Sequence, residues 1–239
     1  MIYFAILFLV VAIVLKWSAR SISRNLMIQG GQVPLQLGGV STGLLVVAVV
    51  LLAVSSTVII PAGHVGVQVL FGKVNPRALT EGIQIINPLV DVQQMSVRTE
   101  TYTMSATAAE GQVRGDDSIQ ALSSDGLLMP LDITIAFRLV GGDAPRVYRD
   151  IGADYVDKII RPASRTAVRE AIAGFTAQEA YSTKREALPQ RMQELLTERM
   201  RSLLEQREDF KGAAGFLIDQ VMLRNIQLPA KVKIGRAHV

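Results

Sequence analysis

From Gly43 to Ile60 the chain runs eighteen residues without a charge and passes directly into PAGHVGVQVLFGKV at Pro61–Val74, where apolar positions alternate. About 17–25 apolar residues cross a bilayer as a helix, so residues 43–60 are expected to form a transmembrane helix. Its Ser55, Ser56 and Thr57 hydroxyls can bond back to their own helix, which keeps the segment compatible with lipid. A domain begun immediately after such a helix folds against a membrane surface. That condition limits every later reading of the chain.

A second apolar block lies upstream. Met1–Leu15 holds fifteen apolar residues and ends at Lys16. Residues 1–17 are expected to span as a first transmembrane segment, with Trp17 in the interface and Lys16 snorkelling to the headgroups. No positive residue precedes the block, so it fits a signal peptide poorly. Between the blocks, residues 18–42 read as a basic polar loop. Lys16, Arg20 and Arg24 are its charges or flank it, and no Asp or Glu occurs through Thr42. Positive loops stay cytoplasmic, which puts everything after Pro61 on the extracytoplasmic side. The chain has no cysteine, which removes disulfide and thiol chemistry without fixing the compartment. Its net charge of +4 sits partly in that loop and gives no ground for nucleic-acid binding.

After the membrane the pattern turns to strands. Val65–Phe71 and Gly82–Ile86 read as two strands joined across the turn-forming Asn75–Gly82, and Val90–Met104 as a further, β-branched strand. Ser105–Ser124 reads as a mobile polar loop. The clearest strand has Met129, Leu131, Ile133, Ile135, Phe137 and Leu139 at every second position. The period then becomes helical. Val156, Ile159, Ile160, Ala163, Ala167, Ala171 and Ile172 form one stripe, with Pro162 predicting a kink or restart. Thr176 and Glu179 form a capping box, Thr183 and Glu186 offer a second start, and a stripe from Leu188 to Leu204 predicts a helix beginning near Pro189. Phe216–Leu228 reads as a closing strand, with Phe216, Ile218, Gln220 and Met222 on one face. Strands, then helices, then a last strand predict an α+β domain.

These blocks resemble the SPFH or band 7 superfamily of stomatins, prohibitins, flotillins and the HflK and HflC proteins, and within it the prohibitin branch. The resemblance rests on IIPAGHVGVQVLFGKV at Ile59–Val74, EGIQIINPLVDVQQMSVRT at Glu81–Thr99 and MPLDITIAFRL at Met129–Leu139, with the helical block Val147–Glu179 and FLIDQVMLRNIQLP at Phe216–Pro229. It implies an SPFH domain over residues 61–229 lying on the membrane, followed by a coiled coil that helps close homo-oligomeric rings, or hetero-oligomeric rings with another SPFH protein. Such rings are expected to organise membrane lipid and to enclose or regulate a membrane-anchored AAA protease. A tethered adaptor holding a protease or transporter without a ring is the alternative. The chain departs from the pattern in its block Met1–Leu15, a polar insertion around Glu205–Ala214, and the absence of a coiled coil after Pro229. Residues 230–233 are expected to begin that helix. Ile234–Val239 reads as the translation of a common sequencing adapter, so residues 234–239 are expected to be foreign to the natural gene; such a scar suits environmental DNA of bacterial origin, and a bacterial inner membrane is the expected location.

Catalysis is not expected, and no cofactor or metal is. His64 stands between Gly63 and Val65 without HxxxH or carboxylate spacing, and the other histidine, His238, belongs to the suspect tail. Asp116, Asp117 and Asp125 lack the ordered spacing of a calcium loop and read as solvated. Arg161, Arg165 and Arg169, spaced by four, line one helix face. That stripe is the candidate contact for anionic lipid or for a neighbouring subunit, set against a plain solvated face.

Overall fold

The computed structural model describes residues 13, 46–47, 49–107, 110–113 and 115–227. The strand with the strongest alternation organises the fold. It runs from Leu128 to Leu139, and Met129, Leu131, Ile133, Ile135, Phe137 and Leu139 are all buried. Fully burying side chains of this size stabilises by about 1.5–3 kcal/mol each. Asp132, Thr134 and Ala136 on the opposite face are also buried, which simple alternation does not predict. That face is closed by hydrogen bonds. The Ala106 N–H donates to Asp132 Oδ1 at 2.8 Å, and the Thr103 and Thr134 hydroxyls lie 2.9 Å apart.

In chain order the strands are β1 (Thr57–Ile60), β2 (His64–Leu70), β3 (Lys73–Val74), β4 (Gly82–Ile85), β5 (Asp91–Ser96), β6 (Glu100–Met104), β7 (Ile119–Leu122), β8 (Leu128–Leu139) and β9 (Phe216–Ile226). The helices are α1 (Ala144–Asp150), α2 (Arg161–Ala173) and α3 (Leu188–Glu205). All strand pairs are antiparallel: β1 with β4, β2 with β3 and β5, and β8 with β6, β7 and β9. Helix α2 packs on β7 and α3, and α3 packs on β9, so the main core lies between this sheet and the helices. The α+β reading of the sequence therefore holds for the described domain.

Several boundaries differ from the sequence reading. Thr57–Ile60, expected to end the apolar helix, form β1; helical backbone among the described residues covers 46, 47 and 49–55. No helix among the described residues is long and apolar enough to cross a membrane. The expected span over residues 1–17, apart from residue 13, the loop 18–42, the start of the 43–60 segment and the expectations for residues 230–239 lie outside the described residues. The strands at Val65–Phe71 and Gly82–Ile86 do not pair with each other, because β4 bonds instead to β1. The single strand expected over Val90–Met104 is two strands in different sheets, β5 and β6, separated by Val97–Thr99. Ser105–Ser124 is not wholly a polar loop, since it contains β7 and buries Asp117 and Ser118.

Pro162 restarts the helix as expected. A π-helical turn at Val156–Ile160 leads into α2, with the proline in its first turn, where its missing N–H is harmless. The capping box forms: Glu179 N–H donates to Thr176 Oγ1 at 3.3 Å, and Thr176 N–H to Glu179 Oε2 at 3.1 Å. Helix α3 begins at Leu188 with Pro189 in its first turn, and Leu188, Met192, Leu195, Leu196, Met200 and Leu204 are buried.

The simple two-face reading of Phe216–Leu228 fails because β9 is bulged twice. Its register against β8 skips Asp219 between Gln220 and Ile218, and Arg224 between Asn225 and Leu223. Each skipped residue is charged and paired. Asp219 meets Arg138 Nε at 3.3 Å and accepts from the Thr99 hydroxyl at 2.7 Å, and Arg224 meets Glu110 at 3.3 Å. The polar insertion at Glu205–Ala214 also contributes to the core, through fully buried Phe210.

Candidate functional site

Two places drew attention in the sequence: the junction after the uncharged run and the arginine stripe. The junction is built without a linker. At the helix end the Ser55 and Ser56 hydroxyls donate to the Leu52 carbonyl at 3.0 and 2.8 Å, and the Thr57 hydroxyl donates to that of Ala53 at 3.2 Å. The Leu52 carbonyl also accepts the Ser56 N–H at 3.0 Å, so the serine hydroxyls find partners inside the helix, and the Thr57 hydroxyl caps the Ala53 carbonyl near the terminus, as is required wherever water is excluded. The Ile86 N–H then donates to the Ser56 carbonyl at 2.8 Å, tying the last turn to the segment after β4.

β1 and β4 carry the apolar character onward. Ile59 faces Ile83 across the pair, and Thr57 faces Ile85, so Ile59, Ile83 and Ile85 share one face of the ribbon. They are 66%, 72% and 85% exposed. Next, Pro61–His64 closes a tight turn, with the His64 N–H donating to the Pro61 carbonyl at 3.1 Å. Gly63 takes φ +74° there while the Arg98 side chain crosses directly over its Cα, so a Cβ would collide with Arg98 Nε and Cγ. Arg98 Nη2 donates to the Ala62 carbonyl at 2.7 Å, and Glu81 Oε2 accepts from the Gly63 N–H at 3.1 Å. His64 Nδ1 lies 3.4 Å from the Ala62 carbonyl, and the residue pairs with Ser96 across β2 and β5.

The arginine stripe folds inward onto the segment that precedes β7. Arg161 Nη2 and Arg165 Nη2 both bond Asp117 Oδ1, and Arg165 also donates to the Asp117 carbonyl at 3.1 Å. Arg169 Nε donates to the Gln120 carbonyl at 3.1 Å. Asp117 is thus not solvated. It is 2% exposed, and its neighbours on the same stretch have local tasks. Asp116 accepts from the Ser118 hydroxyl and N–H, which, the hydroxyl first, hold its carboxyl below the usual range. Asp125 accepts from the Ala177 N–H at 2.9 Å, and its carboxyl is lowered by the Ser123 hydroxyl first and that backbone bond second. The paired carboxylate raises Arg161 above its ordinary value, and burial raises the nearby Tyr102 hydroxyl, so both keep their protons at any physiological pH.

Sequence reasoning placed the three arginines on one face, and the structure gives that face a partner in its own domain. The pairing with Asp117 spans 44 and 48 residues, and nothing local to either segment announces it. The geometry offers a latch between α2 and the β7 segment, with two guanidinium groups on one carboxylate.

An α+β domain of three antiparallel sheets, entered straight from an apolar helix, is the class the fold defines. The chain belongs to the SPFH domain / Band 7 family, whose sequence profile matches residues 58–234 and so starts within β1. Members of that family are generally non-enzymatic scaffolds. No curated protein matches the chain.

Proposed function

We propose that this chain is a prohibitin-like membrane scaffold that acts by assembly. Many anchored copies pack side by side, repeated weak contacts gain avidity from the shared surface, and the enclosed lipid patch restricts which proteins meet. A membrane-anchored AAA protease is the kind of partner such an enclosure regulates. The basic loop before residue 43 favours a domain on the extracytoplasmic side, as in a bacterial inner membrane.

The observation that carries this reading is the junction. The apolar helix passes into β1 with no spacer, and the Ser56–Ile86 bond fixes one end of the domain to the helix. A scaffold needs that fixed orientation, because copies meet edge to edge only if all stand the same way on the bilayer. The test is the native mass of the full-length gene product after gentle detergent extraction. A megadalton-scale particle is expected, and a persistent monomer overturns the reading. A small complex of fixed stoichiometry with one protease or transporter replaces it with a tethered adaptor.

A further inference from the structure

Phe71 is the one non-glycine among the described residues with a positive φ, +47°, and it is 85% exposed. It stands with Gly72, φ +84°, as the two-residue connection between β2 and β3. With positive φ at both positions this is the type I′ form of the hairpin, which Asn-Gly adopts with little strain and a bulky aromatic does not. No packing inside the described domain accounts for the residue, since its ring faces solvent. Strain held at an exposed tip points outward for its cause.

The tip's surroundings identify what it meets. Val69, two residues before Phe71, pairs with Asp91 of β5. The segment leading into Asp91 begins at Ile86, whose N–H is bonded to Ser56 at the end of the apolar helix, and it turns through a Val90–Asn87 bond of 3.0 Å. The hairpin tip and the helix end therefore flank one short segment, 86–91. Along this edge Leu70, Leu89 and Ile85 are 37%, 46% and 85% exposed. Lys73 and Arg77 lie exposed just beyond the tip, and neither forms an ion pair among the described residues. Asp91, the acid on this edge, accepts a hydrogen bond from Gln93 at 2.7 Å.

We propose that the β2–β3 tip is a lipid wedge: the Phe71 ring, with Leu70 beside it, enters the acyl boundary of the same bilayer that receives the helix, while Lys73 and Arg77 engage anionic headgroups. An aromatic body with flanking cations is the composition that settles at a membrane interface. The wedge rests on the membrane reading above and adds a second attachment to it. Two attachments, helix and tip, remove the domain's freedom to swivel about the helix axis.

The chain's one tryptophan, Trp17, allows a clean probe. The full chain carrying Trp17→Phe and Phe71→Trp is reconstituted into vesicles of equal phosphatidylcholine and phosphatidylglycerol, with and without brominated acyl chains. Blue-shifted emission, quenched severalfold by brominated lipid and little by aqueous iodide, is expected. Replacing Lys73 and Arg77 by Gln, or omitting phosphatidylglycerol, should weaken that quenching. Iodide-accessible emission from a chain that still floats with the vesicles overturns the wedge and leaves the membrane reading standing. Blue-shifted emission insensitive to brominated lipid also overturns it, in favour of contact with a second copy. A chain that fails to float with vesicles overturns both.

Discussion

Asp117→Ala tests whether the arginine stripe is a latch or a decorated surface. The carboxylate side chain is 3% exposed, and it accepts from the guanidinium groups of two arginine side chains that are 33% and 26% exposed. Deleting one partner of a fully buried ion pair costs about 3–5 kcal/mol, because the other charge is stranded. Here the stranded arginines can turn partly to water, and Arg165 keeps the backbone carbonyl at position 117, so the expected loss is about 2–3 kcal/mol. Asp117→Asn keeps the shape and one acceptor and should lose less, about 1–2 kcal/mol. For a domain of this size that separates the two melting temperatures by several degrees.

The assay is urea unfolding of the detergent-solubilised full chain, followed by far-ultraviolet circular dichroism, in two backgrounds, the wild type and Arg161→Met/Arg165→Met. In Arg161→Met/Arg165→Met the same Asp117→Ala change should cost little, because no stranded cation remains. Moderate salt should leave the wild-type contribution largely intact, unlike that of an exposed pair. A loss below about 0.5 kcal/mol, or an equal loss with and without the arginines, refutes the latch.

Three further outcomes follow from the structure. Tyr155 packs edge-on to Phe137 at 6.5 Å and against Phe216 at 5.0 Å, and burial first, with Glu100 second, pushes its hydroxyl up to about 12. The folded chain thus holds a proton that the unfolded chain releases above about pH 10, so this part of the stability is complete below that pH and lost as pH rises towards 12; urea titrations across that window should show a steeper fall in the wild type than in Tyr155→Phe. Gly63→Ala should destabilise by about 1–3 kcal/mol in the same assay, since it combines a positive φ with a Cβ forced into Arg98, and wild-type stability would remove the reason given for that glycine. Phe71→Asn should raise stability by about 1 kcal/mol by relieving the hairpin, and a loss instead would mean that the ring packs within the chain.

What could be read in advance was local. The β8 alternation, the Thr176–Glu179 box and the position of Pro189 each depend on residues within a few places of one another, and each formed. The strand inside the uncharged run was hidden because Thr57–Ile60 are as apolar as the helix before them, and only pairing with β4 distinguishes them. The faces of β9 were misassigned because a bulge shifts alternation by one residue, and Asp219 and Arg224 carry no mark of being bulged until their partners Arg138 and Glu110 are known. Asp117 looked solvated for the same reason, since the cations that bury it lie more than forty residues downstream. Phe71-Gly72 was missed too: the sequence reading carried the strand through Phe71 and put the turn at Asn75–Gly82, whereas β2 ends at Leu70. A bulky aromatic is a poor turn former, so its apolar side chain read as one more strand position until the Leu70–Lys73 pairing placed it at the tip.

The closed edges of the main sheet bear on how copies could meet. β9 is an eleven-residue edge strand, long enough to template a neighbour's strand. Its two bulges break the hydrogen-bonding row, and the Gln193 amide donates to the Ile218 and Asp219 carbonyls, each at 3.3 Å. At the opposite edge the Gln112 side chain stands in for a strand: its Oε1 accepts from the Thr103 N–H at 2.6 Å and its Nε2 donates to the Thr101 carbonyl at 2.7 Å. Both edges are thus blunted against pairing with another chain. Side-by-side assembly of the kind proposed would then run through side-chain surfaces. The outer face of α3, where Arg191 pairs with Glu194 at 3.2 Å and Glu198 and Arg201 stand nearby, presents mixed charge suited to weak and reversible contact. Such contacts hold a ring only when the membrane has already aligned the copies, so anchoring comes before assembly.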